Sequence, residues 1–428
     1  MKKYISGAAL LFVLVLAVLP PRCLAAQTSG ATTQDIFKQF SEHVVKIEVV
    51  ETGSAAKASV GTGFYASGGG HIVTNYHVVS KLIHTPDRYR IDVIDGSGQP
   101  SQAAVLGVDV VYDLAVLRTG RRPKGYLTLE SKTVDQGTRL YSLGHPRDLG
   151  LTIVEGTYNG LLKHSLYPKV HFTGSLNPGM SGGPTLTYAG RVVGVNVATE
   201  GEQISYLVPA ERVMALLERT ASVKEPSANS FLAEVGRQIQ VNQARYLAGM
   251  FLNTTPTVTL GPYSLPTKPA DFFRCWADAL RRKEIPYVVV THDCSTDDYL
   301  FVSSEQSSGI VRFYHQMLST EELNPSQFYT LYSGQFQAGN SAVFGNEEEV
   351  TRFRCQTRNV RTPTGKLKAV LCARQYVKLP GLYDAAFRVA TIGARNVGLV
   401  TTLSLSGASF DNVQLLARRY MENVKWQR

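Results

Sequence analysis

The chain has 428 residues, a formal net charge of +10 and five cysteines. That length exceeds what one small domain needs and predicts two folded units of about 200 residues each. Beyond the first 26 residues, no stretch is apolar over the roughly 20 residues that a membrane-spanning helix requires. We therefore expect no transmembrane span in the mature chain.

The N-terminus has the pattern of a secretory signal peptide. Residues 1–26 begin with a basic region that contains two lysines, followed by an apolar region that ends at Leu19. Ala25 and Ala26 are the small residues that a signal-peptide cleavage site requires. Cleavage there removes three basic residues, lowers the formal charge from +10 to +7, and predicts a periplasmic or secreted location. An uncleaved N-terminal anchor is the alternative.

Three residues further along the chain suit hydrolytic chemistry: His77, Asp113 and Ser181, spaced 36 and 68 residues apart. A serine hydroxyl needs an imidazole to take its proton, and the imidazole needs a carboxylate that holds one tautomer. In a loop of this type, the backbone N–H groups of Gly179 and Ser181 form an oxyanion hole. Each residue alone has a simpler explanation as a turn, a packed histidine or a strand start. The ordered set predicts a serine hydrolase.

The flanks of these residues supply further short segments: GTGF at 61–64, TNYHVV at 74–79, DLAVL at 113–117, LGHP at 143–146, Gly156, LNPGMSGGP at 176–184, GVN at 194–196 and YLVP at 206–209. Together they resemble the HtrA/Deg-type serine proteases over residues 38–218. The resemblance implies a chymotrypsin-like fold of two six-stranded antiparallel β-barrels, with His77 and Asp113 from the first barrel and Ser181 from the second. Short alternating apolar segments independently predict an all-β half; examples are 44–50, 91–94 and 192–197.

Three features depart from this family. Met180 stands where the family commonly has Asn and digestive relatives have Asp, so activation through a salt bridge to a freed N-terminus is not expected. His145 stands where the family often has Asn, and we interpret it as a turn residue. No PDZ pattern follows residue 220, so peptide-gated regulation through such a domain does not carry over.

By analogy with the family, the S1 pocket is formed by Leu176, Val197, Ala198 and Thr199. None of these residues is a carboxylate, so the pocket should favour small to medium aliphatic side chains over basic ones. Either nearby glutamate, Glu200 or Glu202, would admit basic side chains if it turned into the pocket.

We divide the mature chain into an N-terminal segment at 27–37, the protease domain at 38–218, a polar linker at 219–230 and an α+β domain at 231–428. A closing helix of the protease carries Val213, Leu216 and Leu217. The sequence does not reveal the family of the second domain.

Helices of the second domain are expected at 231–252, with Val235, Ile239, Val241 and Tyr246 on one face, at 269–283 and at 410–424. Strands are expected at 287–290, 299–303, 309–314, 328–332, 369–376 and 398–405. The aromatic residues Phe272, Phe273 and Trp276 on the second helix would either form a peptide groove or pack in the core.

The four cysteines outside the signal segment all lie in the second domain. An even number in an exported chain suggests disulfides, and four cysteines allow three pairings. We favour Cys275 with Cys294 and Cys355 with Cys372, because each pair closes a local loop. Zinc is the competing interpretation, but there is no CxxC pair and His292 stands alone. We expect no metal and no cofactor.

Eight basic residues and no acidic ones fall within 352–378. Outside the cytoplasm such a surface would meet an anionic envelope polymer or an acidic protein rather than nucleic acid. Alternating basic residues on a solvated two-stranded ribbon are the better explanation of the pattern.

The sequence therefore predicts an exported serine endopeptidase that acts on protein or peptide substrates, such as misfolded or specific envelope proteins. The alternative is a binding or scaffold protein on a protease fold whose site is never assembled. HtrA relatives are commonly trimers, so a homo-oligomer is an expectation of the resemblance alone.

Overall fold

The computed structural model describes residues 32–132, 134–201, 203–223, 230–250, 256–337, 346–363, 365–393 and 395–426. The predicted signal peptide lies outside these residues. Within them no helix is long and apolar enough to cross a membrane. We refer to residues 32–223 as the N-terminal half and to residues 230–426 as the C-terminal half.

The N-terminal half begins with a short helix and a six-stranded barrel. Its elements are α1 Thr33–Phe40, β1 Val44–Glu51, β2 Lys57–Tyr65, β3 His71–Thr74, α2 Tyr76–His84, β4 Tyr89–Ile94, β5 Pro100–Asp109 and β6 Leu114–Thr119. The strands are antiparallel and close in the order β1-β2-β3-β6-β5-β4. Alternate apolar side chains such as Ile47, Ile72 and Leu117 fill its interior, as strand periodicity requires.

A second barrel follows. Its elements are β7 Thr128–Leu129, β8 Arg139–Gly144, β9 Thr152–Leu161, β10 Val170–Phe172, β11 Pro184–Leu186, β12 Arg191–Thr199, β13 Ser205–Pro209 and the closing helix α3 Ala210–Thr220. Six strands run in the order β11-β8-β9-β10-β13-β12, and pairing of β11 with β12 closes the ring, while β7 adds to β12 from outside. The double barrel implied by the family resemblance is therefore confirmed.

The C-terminal half is mixed. Its elements are α4 Ser230–Met250, β14 Thr257–Leu260, β15 Tyr263–Pro266, β16 Phe273–Leu280, β17 Val288–Thr296, β18 Leu300–Ser303, β19 Gln306–Ser308, β20 Val311–Ser319, α5 Pro325–Gln337, β21 Arg354–Thr362, β22 Gly365–Gln375, β23 Tyr383–Thr391, β24 Val397–Ala408, α6 Phe410–Glu422 and β25 Lys425–Trp426. Seven strands form an open antiparallel sheet in the order β16-β17-β20-β24-β23-β22-β21. Residues of α4 and α6 pack in one core with this sheet, and α5 packs in a second, smaller core.

Two predicted elements of the C-terminal half are wrong. Residues 269–283 contain the strand β16 rather than a helix: Phe273 is buried in the core but Trp276 is 70% exposed. Residues 328–332 belong to the helix α5 rather than to a strand. Within α4, Val235, Ile239 and Tyr246 are buried as expected, whereas Val241 points to solvent.

Both favoured disulfides are present, and each joins an edge strand of the open sheet to its inner neighbour. Cys275 on β16 bonds Cys294 on β17, and Cys355 on β21 bonds Cys372 on β22. Because His292 lies beside sulfur atoms that are already bonded to each other, those sulfurs are not thiolate ligands.

The basic segment 352–378 does not form one continuous surface. Arg354 and Arg358 are exposed on β21. In contrast, Arg374 is nearly buried and pairs with Asp384, at 2.9 Å between Nε and Oδ2. The alternating-ribbon interpretation therefore describes β21 and the first part of β22, where Lys366 and Lys368 are exposed, but not Arg374.

The two halves share a hydrophobic cluster. Phe231, Val235 and Ile239 of α4 lie in the same cluster as the interior of the first barrel. Gln238 of α4 makes two buried contacts with the segment 108–110: its amide nitrogen donates to Val108 O at 2.9 Å, and its amide oxygen accepts from the backbone N–H of Val110 at 2.8 Å. The C-terminal half is thus packed directly on the first barrel.

Candidate active site

His77 and Asp113 are brought together at the mouth of the first barrel. Helix α2 begins one residue before His77, and the preceding Asn75 donates to the backbone oxygen of Asp113 at 2.8 Å. The Asp113 carboxylate accepts from the backbone N–H of His77 at 2.8 Å and lies 2.6 Å from its ring Nδ1. A proton on Nδ1 leaves Nε2 free to accept one, which is the tautomer that a general base requires.

The surroundings of His77 act on its pKa in opposite directions. Burial alone would lower the pKa of His77, but the charge of Asp113 and the hydrogen bond to it outweigh burial and raise the pKa above its ordinary value. The imidazolium that forms during proton transfer is therefore stabilised.

Ser181 lies on the loop between β10 and β11, and the glycines around it are required by close backbone contacts. Gly179 and Gly182 have φ angles of +98° and +85°. A Cβ atom on Gly182 would lie 2.1 Å from the backbone oxygen of Thr62, and one on Gly179 would lie 2.3 Å from that of His145. Only glycine fits both positions.

The same loop presents two free amide donors. The carbonyl of Pro178 accepts from the backbone N–H of Arg147 at 2.8 Å, and because the peptide is trans, the N–H of Gly179 points the opposite way. Among the described residues, the N–H groups of Gly179 and Ser181 both lack a hydrogen-bond acceptor. Two such donors side by side can stabilise a developing oxyanion.

Thr62 connects the first barrel to both sides of Ser181. Its backbone N–H donates to the Ser181 carbonyl at 2.8 Å, and its hydroxyl donates to the Gly179 carbonyl at 2.7 Å. The hydroxyl also accepts from the backbone N–H of His145 at 2.9 Å. Sequence reasoning gave Thr62 no role; its place in the GTGF segment was the available signal.

The predicted triad is only partly linked. Within the described part of the chain no hydrogen bond joins Ser181 Oγ to His77 Nε2, whereas the His77–Asp113 pair is complete. Catalytic hydrogen bonds of this kind are often long before substrate binds, so the gap does not disqualify the pair.

The residues expected around S1 are distributed between core and cleft. Leu176 is nearly buried beside Met180, while Val197 and Thr199 line an open cleft of about 590 Å³ that is also lined by His77. Ala198 pairs through its backbone with Tyr206, and its side chain lies outside the described residues.

The two glutamates near S1 differ in what the structure describes. Glu200 lines the cleft and accepts a hydrogen bond from the Tyr206 hydroxyl, while Glu202 lies outside the described residues. Burial, followed by the hydrogen bond to the Glu200 carboxylate and its charge, raises the pKa of Tyr206 to about 12.

Comparison with known proteins identifies the fold family. The family model of the trypsin-like peptidase domain matches residues 61–195. The mitochondrial serine protease HTRA2 of Bos taurus is 30% identical over 262 residues, which are 56% of this chain and 54% of that protein. A probable periplasmic serine endoprotease, DegP-like, of Chlamydia muridarum is 33% identical over 144 residues, or 32% of this chain and 28% of that protein. The chain therefore contains a trypsin-like peptidase domain that is similar to those of HtrA- and DegP-like serine proteases.

The resemblance of this peptidase domain to its relatives is partial. The chain spans about half of the length of the bovine relative and less of the chlamydial one. A solved serine endoprotease from Yersinia pestis is 25% identical, covers 44% of this chain and 66% of its own, and superposes with a TM-score of 0.38.

The two unusual residues of the peptidase domain have structural roles. The side chain of Met180 is fully buried in the core of the second barrel, where a charged side chain would be costly. His145 precedes the 3₁₀ turn Pro146–Asp148, and burial lowers its pKa to about 4, so it is neutral at physiological pH.

Proposed function

We propose that this protein is an exported serine endopeptidase, with His77 as general base, Asp113 as its orienting carboxylate and Ser181 as nucleophile. The observation that carries the proposal is the pair of backbone N–H groups at Gly179 and Ser181, which lie in the loop of the nucleophile and donate to no acceptor in the described chain. Such a site suits acyl transfer, in which negative charge develops on a carbonyl oxygen.

In the proposed reaction His77 takes the hydroxyl proton of Ser181 while the Oγ atom of Ser181 attacks the scissile carbonyl. The amides of Gly179 and Ser181 hold the resulting oxyanion, and His77 then gives the proton to the leaving amine. Water, activated by the same imidazole, completes hydrolysis of the acyl-enzyme.

For S1 we propose a pocket for small to medium aliphatic side chains, formed by Leu176, Val197, Ala198 and Thr199. Two features support it: Leu176 and Val197 are apolar, and the carboxylate of Glu200 is engaged by Tyr206. We also propose a periplasmic or secreted location, which the predicted signal peptide and the similarity to the probable periplasmic endoprotease of Chlamydia muridarum support.

The decisive experiment is labelling with a serine-reactive fluorophosphonate, together with cleavage of an unfolded protein. Ser181→Ala should abolish labelling and lower kcat by about 10⁴- to 10⁶-fold. The control is Ser175→Ala in the same loop, because Ser175 is exposed and should be dispensable. Undiminished proteolysis in Ser181→Ala would refute the proposal.

The pH dependence tests His77 separately. Because the base must be neutral, the rate should fall as pH drops through the pKa of His77, and because that pKa is raised, the midpoint should lie above about 6.5. A labelling rate that stays flat between pH 5 and 8 would rule out this role.

The missing hydrogen bond between Ser181 and His77 is the one observation that favours a binding or scaffold protein. The same labelling experiment decides between the two functions, since an unassembled site would not react with the probe.

A further inference from the structure

A hairpin of the C-terminal half lies against the helix that carries His77. It consists of β18 and β19, and Leu300 and Val302 are buried in the cluster of the first barrel. The Tyr76 hydroxyl donates to the carbonyl of Val302 at 2.9 Å. Phe301, between these two strand residues, is partly buried: its ring packs against the same cluster, and its centroid lies 6.3 Å from that of the Tyr76 ring.

Phe301 faces the proposed general base. Its ring centroid is 5.8 Å from that of His77, and the two planes meet at 68°. Tyr299, which is largely exposed, and Phe301 both line the same cleft as His77, Val197 and Thr199. One wall of this cleft therefore comes from outside the peptidase domain.

A second anchor ties this segment to the second barrel. The buried carboxylate of Asp298 accepts from the backbone N–H of Leu166 at 2.6 Å and from the hydroxyl of Ser165 at 2.8 Å. It also pairs with Lys169 Nζ at 2.6 Å. The wall is thus held on both barrels, which fixes the position of Phe301 over the cleft.

The opposite side of the cleft can receive an extended peptide. Strand β12 pairs with β11 only as far as Val195, so no strand of the described chain occupies that edge from Val197 to Thr199. A peptide can add to such an edge, and alternate side chains then point to opposite sides. If one side chain enters the pocket beside Leu176 and Val197, the next one points toward His77 and Phe301.

We propose that Phe301, with Tyr299, forms a subsite for the second substrate residue on the acyl side of the scissile bond, and that this subsite binds apolar side chains. The inference rests on the proposed peptidase function. It makes the C-terminal half a determinant of substrate specificity through direct contact with substrate.

The test uses peptide boronic acids, whose boron bonds reversibly to Ser181 and so fixes the register. Valine occupies the position next to boron, and the second residue is either leucine or glycine. The full-length wild type should bind the leucine compound about 10- to 100-fold more tightly, as hydrophobic pockets discriminate. In Phe301→Ala this ratio should fall close to one. Fluorophosphonate labelling of the same variant reports separately whether Ser181 and His77 are still assembled.

Two further variants make the result interpretable. Tyr329→Ala removes an exposed aromatic side chain on α5 that does not line the cleft, and should leave the ratio unchanged. Phe301→Leu keeps an apolar side chain and should give an intermediate ratio, which preserves the test if the alanine variant fails to fold.

An unchanged ratio in Phe301→Ala would overturn the subsite. If both boronic acids bound Phe301→Ala more tightly by the same factor, the subsite would also be overturned, because Phe301 would then block the cleft in the wild type rather than bind the second residue. A wild type that neither reacts with fluorophosphonate nor binds either boronate would instead overturn the proposed function, and the subsite with it.

Discussion

The two halves of the molecule stabilise their sheets in different ways. In the N-terminal half both sheets close into rings, and residues 38–218 contain no cysteine. In the C-terminal half the sheet is open, and each of its two edge strands, β16 and β21, is cross-linked to its inner neighbour. Closure pairs the backbone groups that an edge would leave unpaired, whereas a cross-link holds an edge strand that has only one neighbour.

The largest expected effect is on the C-terminal half when both disulfides are replaced by alanines. Each bridge closes a loop of 17 or 19 residues and should contribute about 3 kcal/mol to the free energy of unfolding. The two tryptophans of the chain, Trp276 and Trp426, lie in this half, so urea denaturation followed by tryptophan fluorescence reports on it alone.

The matching measurement for the N-terminal half is the rate at which fluorophosphonate labels Ser181, at urea concentrations below the unfolding transition. This rate should be the same in the variant without disulfides as in the wild type. If the urea midpoint of the fluorescence transition is unchanged in the variant without disulfides, the bridges do not stabilise the C-terminal half.

A smaller effect is expected where the second barrel closes. Asn196 is buried, and its amide oxygen accepts from the hydroxyls of Ser142 and Thr185 at 2.9 and 2.7 Å. Its amide nitrogen donates to the carbonyl of Met180, beside the nucleophile, at 3.1 Å. Asn196→Ala removes the acceptor of the Ser142 and Thr185 hydroxyls, whereas the Met180 carbonyl still accepts from the backbone N–H of Gly183. The substitution should cost about 2–3 kcal/mol, the lower end for two buried hydroxyls at about 1–3 kcal/mol each.

The loss in Asn196→Ala should be measured as the urea concentration at which labelling of Ser181 fails. Asn159→Ala on the same barrel is the control, because the Asn159 amide donates only to the nearby Thr157 carbonyl. Equal losses in both variants would show that the closure point carries no special stability.

The smallest expected effect is the difference between the two bridges. Their loops are nearly equal in length, so chain entropy predicts similar contributions. Cys294, however, is buried in the core while Cys355 is exposed. Replacing Cys275 and Cys294 by alanine should therefore destabilise the C-terminal half by about 1 kcal/mol more than replacing Cys355 and Cys372. Fluorescence-detected melting of the two double variants measures this difference, and the reverse order would refute the burial argument.

The double barrel was implied by the family resemblance, whereas the all-β character of the N-terminal half could be predicted from the residues because its signals are local. The alternation of 44–50 and the glycines around Ser181 describe backbone geometry that neighbouring residues determine. The His77–Asp113 contact followed from the family resemblance. The role of Thr62 did not, because its hydroxyl reaches Gly179, 117 residues away.

The two wrong elements of the C-terminal half have separate physical causes. Residues 269–283 carry aromatic side chains at helical spacing, but pairing with β17 places them in an edge strand, where Trp276 remains in solvent. For α5 a helix signal was present and overlooked: Asn324 and Gln327 exchange capping hydrogen bonds at 3.0 and 3.1 Å, and Pro325 is the first helical residue.

The cluster that α4 shares with the first barrel also has a practical consequence. Expression of the peptidase domain alone, ending near residue 222, would expose to water the apolar surface that Phe231, Val235 and Ile239 cover. Such a fragment should self-associate, and its behaviour would not describe the enzyme. A soluble minimal version of this protein therefore needs α4 retained or the exposed surface redesigned with polar side chains.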